Sequence, residues 1–313
     1  MAINTKKYIE QCLKIKNKKG EIVPLRLNTS QIKYYEAIRK QAQQGKPIRV
    51  IVLKARQTGF STLTEAMIFK SGATAANVSS GIVAHEAVAT DNLFRMSKRY
   101  YECLDEDIRP ALLARNAKEL IFSYADGNSS IKCMTAGSGT IGRSDTFQNL
   151  HISEYAFWAG NKAELLGGLL QAVPDEPNTM VIIESTANGY DDYKKMWDQA
   201  VRGESDFIPI FCPWWEHAEY SMPYTGFGLT TEEDDIKRLY GLTNDQLEWR
   251  RSTIRNKCAG NVDLFHQEYP ASPDEAFLMS GRPVFNNKLI MSRIAELEEH
   301  YKAHPYDTGR VYF

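Results

Sequence analysis

The stretch VIVLKARQTGFSTLTEAMIF, residues 50–69, joins a β-branched apolar run to an apolar helical pattern through a short polar turn. That is the form of a phosphate-binding loop between a strand and a helix, yet its key residues are displaced. The pattern G-x-x-x-x-G-K-[ST] needs a glycine at its start and a lysine just before the hydroxyl. Lys54 stands at the first glycine's place and Phe60 at the lysine's, while Gly59 and Ser61 occupy the second glycine and the metal-facing hydroxyl. Such a loop works because backbone N–H groups and a helix N-terminus face anionic oxygens, a cation reaches the outer phosphates and a hydroxyl joins the Mg2+ shell. Phe60 supplies no charge. Lys54 at the strand tip and Arg56 within the loop reach inward from the other end, and Thr62 supports the first helical turn. A plainer reading makes Lys54 and Arg56 the solvated ends of a buried strand, and this stretch alone does not choose between the two.

On either side, apolar runs alternate with helical patterns. TSQIKYYEAIRKQAQQGKP reads as a helix capped by Thr29 or Ser30 and stopped at residues 45–47. Residues 49–55 read as a strand, STLTEAMIFKSG as a helix, VSSGIVAHE as a strand and residues 87–104 as a helix. KELIFSYADGNSSIKCMTAG reads as a hairpin turning at Asp126, Gly127 and Asn128. The strand QNLHIS, a helix near 161–172, the strand TMVIIEST, a helix over 191–201 and the strand DFIPIFCPWW complete the series. Strands and helices at this spacing predict an α/β fold with a parallel sheet and crossover helices. From about Glu216 the segments become polar and helical, so a domain over 1–215 is expected to be followed by a smaller, mostly helical one over 216–313.

Composition excludes several classes. The 38 Lys and Arg balance 39 Asp and Glu, so there is no global basic field, although a local basic groove stays open. Five cysteines, widely spaced and without C-x-x-C, suggest neither a disulfide framework nor a zinc site. No apolar run is long enough to span a bilayer and the Lys-rich start is no secretory signal, so a soluble intracellular chain is expected. His85, His151, His217 and His266 lack ligand spacing for a metal, the aromatics of FCPWWEHAEY read as packing, and the basic clusters at 14–19 and 250–257 read as solvated charge.

Three further stretches bear on the loop. NLHISEYAFW, residues 149–158, is an apolar strand ending at a carboxylate, as an ATPase uses to orient water and hold Mg2+. Ser153 occupies the expected aspartate position, leaving Glu154 to polarise water and Ser153 to touch a metal-bound water; an exposed loop glutamate is the alternative. IIESTANGYDDY sets Ser185 and Thr186 at a strand tip, where ligands gather in open α/β sheets, or else marks simple turn chemistry. GSGTIGRSD presents Arg143 on a glycine-rich loop, either as a surface arginine or as a cation for transition-state charge.

In this order the stretches resemble the ATPase of the large terminase subunit, the DNA-packaging motor of tailed phages, and LTNDQLEWRR…FHQEYPASPDEAF resembles the segment that follows that ATPase. The resemblance spans roughly 25–285 and implies a RecA-like P-loop NTPase core, with 1–45 as an N-terminal segment and 216–313 as a lid or linker. It implies that Lys54, Ala55, Arg56, Gln57, Thr58, Gly59, Phe60, Ser61 and Thr62 form the nucleotide loop, that Gln31 reads adenine, and that Glu154 is the catalytic carboxylate. Ser185 and Thr186 would couple phosphate loss to movement, and Arg143 would act on a neighbouring subunit. ATP and Mg2+ are implied as cofactors, the metal near Ser61, Ser153 and Glu154. Implied partners are double-stranded DNA, a portal protein, a small terminase subunit and further copies in a ring on the procapsid, in the cytoplasm of an infected host cell. Large terminases also carry a C-terminal nuclease; with GRVYF read as its first strand, the chain is taken as the motor half and no nuclease activity is expected. A helicase-like remodelling ATPase and a nucleotide-binding scaffold without hydrolysis are the alternatives, the first weakened by the lack of a second strand–helix core.

Overall fold

Val50 and Val52 pack into one apolar layer and Ile51 and Leu53 into another, all four fully buried. A strand buried on both faces belongs in the middle of a parallel sheet, and that is where the computed structural model puts it. The structure describes residues 4–137 and 145–279, with 293, 296, 297, 300 and 301 beyond them. The chain opens with α1 (Thr5–Cys12) and a small hairpin, β1 (Lys14–Lys16) and β2 (Ile22–Pro24). The polar, lysine-rich composition hid these elements. What fixes α1 is a pair of buried apolar residues, Tyr8 and Ile9, facing the first layer.

Next come α2 (Thr29–Gln43), β3 (Ile48–Lys54), α3 (Phe60–Thr74), β4 (Ser79–Ala84) and α4 (Ala87–Glu102). The cap of α2 is Asn28, not Thr29 or Ser30: its side chain accepts the Gln31 N–H while the Gln31 side chain accepts the Asn28 N–H, a reciprocal capping box. Three antiparallel-linked strands follow, β5 (Ala111–Arg115), β6 (Glu119–Tyr124) and β7 (Gly127–Thr135). The β6–β7 turn is tighter than expected, because Tyr124 pairs with Gly127 and only Ala125 and Asp126 lie between. Then come β8 (Asn149–Ser153), α5 (Lys162–Gln171), β9 (Met180–Ser185), α6 (Asp192–Val201) and β10 (Ile208–Cys212).

The eight-stranded sheet runs β10-β3-β9-β8-β4-β7-β6-β5. Its first six strands are parallel and the β6–β5 edge is antiparallel. Residues of α1 to α4 share the layer of Val50 and Val52, whereas those of α5 and α6 share the layer of Ile51 and Leu53. Helices therefore cover both faces. The order has one consequence for chemistry: β9 and β8 insert between β3 and β4, so the carboxyl ends of β3, β9 and β8 lie side by side.

After β10 only helices follow among the described residues: α7 (Thr231–Tyr240), α8 (Asn244–Lys257), α9 (Val262–Glu268) and α10 (Pro273–Met279). They have an aromatic core of their own, in which Trp249 stacks between Trp214 at 5.4 Å and Tyr220 at 4.3 Å between ring centroids. The FCPWWEHAEY aromatics thus pack against this region.

Candidate active site

Lys54 ends β3, Ser185 ends β9 and Glu154 follows β8, so the sheet order makes their tips neighbours. Lys54 Nζ donates to Glu154 Oε1 at 3.0 Å, with the lysine side chain 8% and the glutamate 28% exposed. Burial alone would lower the Lys54 pKa, but the charges of Glu154 and Glu184 outweigh it and hold the ammonium above its ordinary value. Glu154 itself has a left-handed backbone, φ 51°, which is uncommon for a residue with a side chain and typical of strained functional turns. Its other oxygen accepts the Thr186 N–H at 3.4 Å and the Ser185 hydroxyl at 3.5 Å. Ser185 and Thr186 therefore contact the carboxylate directly.

The loop from β3 to α3 is anchored where it begins: Ala55 N–H donates to Cys212 O at 2.9 Å and Arg56 N–H to Glu268 O at 3.0 Å. Left-handed turns at Gln57 (φ 54°) and Gly59 (φ 83°) then bring the chain to the helix. Gly59 is required twice over, since a Cβ there would also sit 2.8 Å from Gln31 Nε2. The backbone N–H groups of Gly59, Phe60, Ser61 and Thr62 have no acceptor among the described residues. Open donors at a helix N-terminus form an anion site. Thr58 closes the turn by donating its hydroxyl to Ala55 O at 3.1 Å.

Phe60, in the lysine's ordinary place, is buried and stacks on Tyr34 at 4.8 Å between centroids. A lysine there would have to bury its charge in the core, and Lys54 is the lysine that the structure sets at the strand tips. Gln31 holds the loop by donating to Gly59 O at 2.6 Å while its Oε1 takes the Asn28 N–H. That leaves one N–H and one lone pair of its amide for any other partner. Arg56 is 63% exposed and pairs with Glu268 of α9 at 2.9 Å, and Tyr220 donates its hydroxyl to Arg56 O. Arg143 lies outside the described residues.

Behind the tips is a buried chain of polar groups that sequence reasoning missed. Ser61 and Ser153 both donate to Glu184 Oε1, the latter at 3.2 Å. His151 Nε2 lies 3.1 Å from the same oxygen, and His151 Nδ1 is 2.6 Å from Glu65 Oε1. Ser97 donates to Glu65 Oε2 at 3.4 Å. Glu65, His151 and Glu184 are fully buried. Burial would neutralise both His151 and Glu184, but the Lys54 charge and then His151 hold Glu184 ionised, and Glu184 and then Glu65 hold His151 protonated. Glu65 is different: burial raises its pKa and His151 only partly offsets this. The missed signal was a lone acid inside an apolar run, Glu184 in TMVIIEST and Glu65 in STLTEAMIF.

Of the other histidines, His85 directly follows β4, the strand beside β8, and is half-buried beside Glu86, His217 packs edge-on against Tyr220, and His266 lies 3.3 Å from Glu275. Among the described residues no three His, Cys, Asp or Glu side chains could together hold a metal. A hard cation at the tips would therefore need substrate oxygens beside one or two carboxylates and hydroxyls, which is how Mg2+ usually binds with phosphates.

No protein-family model matches the chain. Its fold is that of a large-terminase ATPase domain, with the expected RecA-like, mainly parallel core. It superposes on the HK97 bacteriophage large terminase with a TM-score of 0.60 at 14% identity, covering 88% of this chain and 55% of that one. It superposes on the Thermus phage P74-26 large terminase ATPase domain with a TM-score of 0.51 at 15% identity, covering 79% of this chain and 99% of that one. The chain thus spans about half the HK97 protein and nearly all of the P74-26 domain.

Proposed function

We propose that this chain, built on the fold of a large-terminase ATPase domain, hydrolyses ATP to drive double-stranded viral DNA into a procapsid. The observation that carries the reading is the Lys54–Glu154 pair at adjoining strand tips, facing a helix whose first N–H groups are open. The triphosphate would lie on the N–H groups of residues 59–62, drawing Lys54 from Glu154 to its outer oxygens. Glu154, relieved of its lysine, would orient and polarise the attacking water. Mg2+, when bound, would neutralise charge across the phosphates, and the Ser61 hydroxyl, a water on Ser153 and the Glu154 side supply oxygen donors that fit it.

Gln31 would meet adenine with its remaining amide N–H and lone pair. Arg56 and a neighbour's Arg143 would add positive charge, in a ring of copies on a portal protein with a small terminase subunit, in the host cytoplasm. Ser185 and Thr186 would report loss of the γ-phosphate, since they bond the carboxylate that acts on it. In this reading residues 1–215 form the ATPase core and 216–313 the lid that moves against it. Among the described residues no helix is long and apolar enough to cross a membrane.

The test is phosphate release by wild type and by Lys54→Ala, with double-stranded DNA present. Turnover by wild type and its loss in Lys54→Ala are expected. A wild type silent at high protein concentration would leave only the non-hydrolysing scaffold, and a fully active Lys54→Ala would remove the lysine from the mechanism. Arg143→Ala subunits mixed with Glu154→Gln subunits should recover part of the activity if the arginine acts across subunits.

A further inference from the structure

The aspartate usually found ahead of the catalytic glutamate is a serine here, yet the site does not lack a second carboxylate. Ser153 pairs in register with Glu184 on the adjoining strand, and its hydroxyl donates to Glu184 Oε1. Neighbouring parallel strands lie about 4.8 Å apart, a gap that the longer glutamate side chain and the small serine together can span. Ser61, the helix-turn hydroxyl of the phosphate loop, donates to that same oxygen. A loop hydroxyl and a carboxylate meeting at one point is the protein's share of a nucleotide-bound Mg2+ site.

Two further observations single out Glu184. Its Oε2 is buried and has no hydrogen-bonding partner among the described residues, a costly state for a carboxylate oxygen. Glu154, by contrast, has both oxygens engaged, by Lys54 on one side and by Ser185 and Thr186 on the other. We propose that Glu184 is the metal-facing carboxylate of this site, taking from β9 the part an aspartate at position 153 would play from β8. The proposal rests on the ATP-hydrolysing reading and assigns the two glutamates separate work, Glu154 to water and Glu184 to the metal. His151 and Glu65 are then positioning residues: Glu65 holds the imidazole through Nδ1, and the ring's charge sits 3.1 Å behind the Glu184 carboxylate.

The experiment measures Mn2+ binding by electron paramagnetic resonance on the full chain with a non-hydrolysable ATP analogue, alongside binding of the same analogue in EDTA. Glu184→Gln should weaken Mn2+ binding about tenfold or more, as loss of a metal-site carboxylate does, with metal-free nucleotide binding retained. The swapped variant S153D/E184S returns one carboxylate to β8 and should recover most of the Mn2+ affinity. Unchanged Mn2+ binding in Glu184→Gln overturns the proposal, as does equal loss in Glu184→Gln and the swap when both are folded. If Glu184→Gln does not fold, the swap decides: bound Mn2+ supports the assignment and none refutes it. A wild type that binds the analogue neither with metal nor without it defeats the ATPase reading itself, an outcome distinct from those that concern Glu184 alone.

Discussion

Two charged clusters share β8 and β9, and they differ in what they leave open. At the mouth, Lys54 and Glu154 meet through one hydrogen bond, with the glutamate 28% exposed. At the root, Glu65, His151 and Glu184 are sealed, with His151 hydrogen-bonded to Glu65 through Nδ1 and its Nε2 3.1 Å from Glu184. The chemistry is the same, carboxylate against cation. Its use differs because burial raises the penalty for losing a partner. A pair near water can exchange partners with an arriving phosphate, while Glu65 and His151, sealed behind it, cannot and instead hold Glu184 in place.

Neutralising Glu154 should have the largest effect and should touch chemistry alone. Glu154→Gln keeps an acceptor for Lys54 but cannot polarise water, so phosphate release should fall about 10³–10⁴-fold, equivalent to about 4–5 kcal/mol of barrier. Its melting curve by circular dichroism should stay near wild type. His151→Ala should show the opposite pattern. It leaves two buried carboxylates without their shared cation, and urea unfolding should show a loss of about 3 kcal/mol or more. Were Glu154→Gln the unstable variant and His151→Ala merely slow, the division between mouth and root would be wrong.

The mouth was legible in sequence and the root was not, for a physical reason. Lys54, Gly59, Ser61 and Glu154 sit at the ends of regular elements, where strand and helix patterns break and single residues stand out. Glu65 and Glu184 sit inside apolar runs, and their partners come from other elements, at separations of 86 residues for Glu65–His151 and 31 for Ser153–Glu184. Pattern reading ties a residue to its own element; only the sheet order, with β9 and β8 inserted beside β3, joins them. Strand–helix alternation made the parallel core readable, whereas α1 and the β1–β2 hairpin were lost because their composition is polar and their buried residues are few. Gln31 shows a further limit. Its type suggested a ligand contact, while its spacing from Asn28, three residues, also encoded a capping box.

A third carboxylate sharpens the comparison, because it has a histidine partner but no buried lysine. Glu275 on α10 is 13% exposed, lies 3.3 Å from His266 Nε2 and accepts the Ala271 N–H at 3.0 Å. Burial pushes its pKa up to about 7, against the Ala271 N–H and the Arg250 charge, whereas Lys54 and His151 hold Glu184 low. A pKa raised in the folded state stabilises the protein below the unfolded value, and that contribution is lost as pH rises through about 7. Between pH 5 and 8 the wild type should therefore lose about 2–3 kcal/mol relative to Glu275→Gln, as read from urea midpoints. A constant difference across that range would mean that Glu275 ionises as freely as an exposed glutamate.

The smallest effect should come at the fringe of the mouth, where Arg56 pairs with Glu268. The arginine is 63% exposed, so removing it should alter stability by under about 1 kcal/mol. Its consequence for nucleotide is a separate matter. Burial raises the Glu268 pKa and Arg56 counters this, while Glu154 acts on the same carboxylate as a like charge. Without Arg56, an uncompensated acid would border the phosphate site, so Arg56→Ala should weaken ATP binding by about three- to fivefold, within the range of a rim charge. A double-mutant cycle separates the two ways this could arise. If Arg56 acts by neutralising Glu268, the variant R56A/E268Q binds ATP nearly as well as wild type. If the arginine instead touches phosphate, Glu268→Gln frees it and tightens binding, and the double variant stays as weak as Arg56→Ala. The first outcome makes the QEYP segment part of the site's electrostatics; the second returns Arg56 to the direct role its position in the loop suggested.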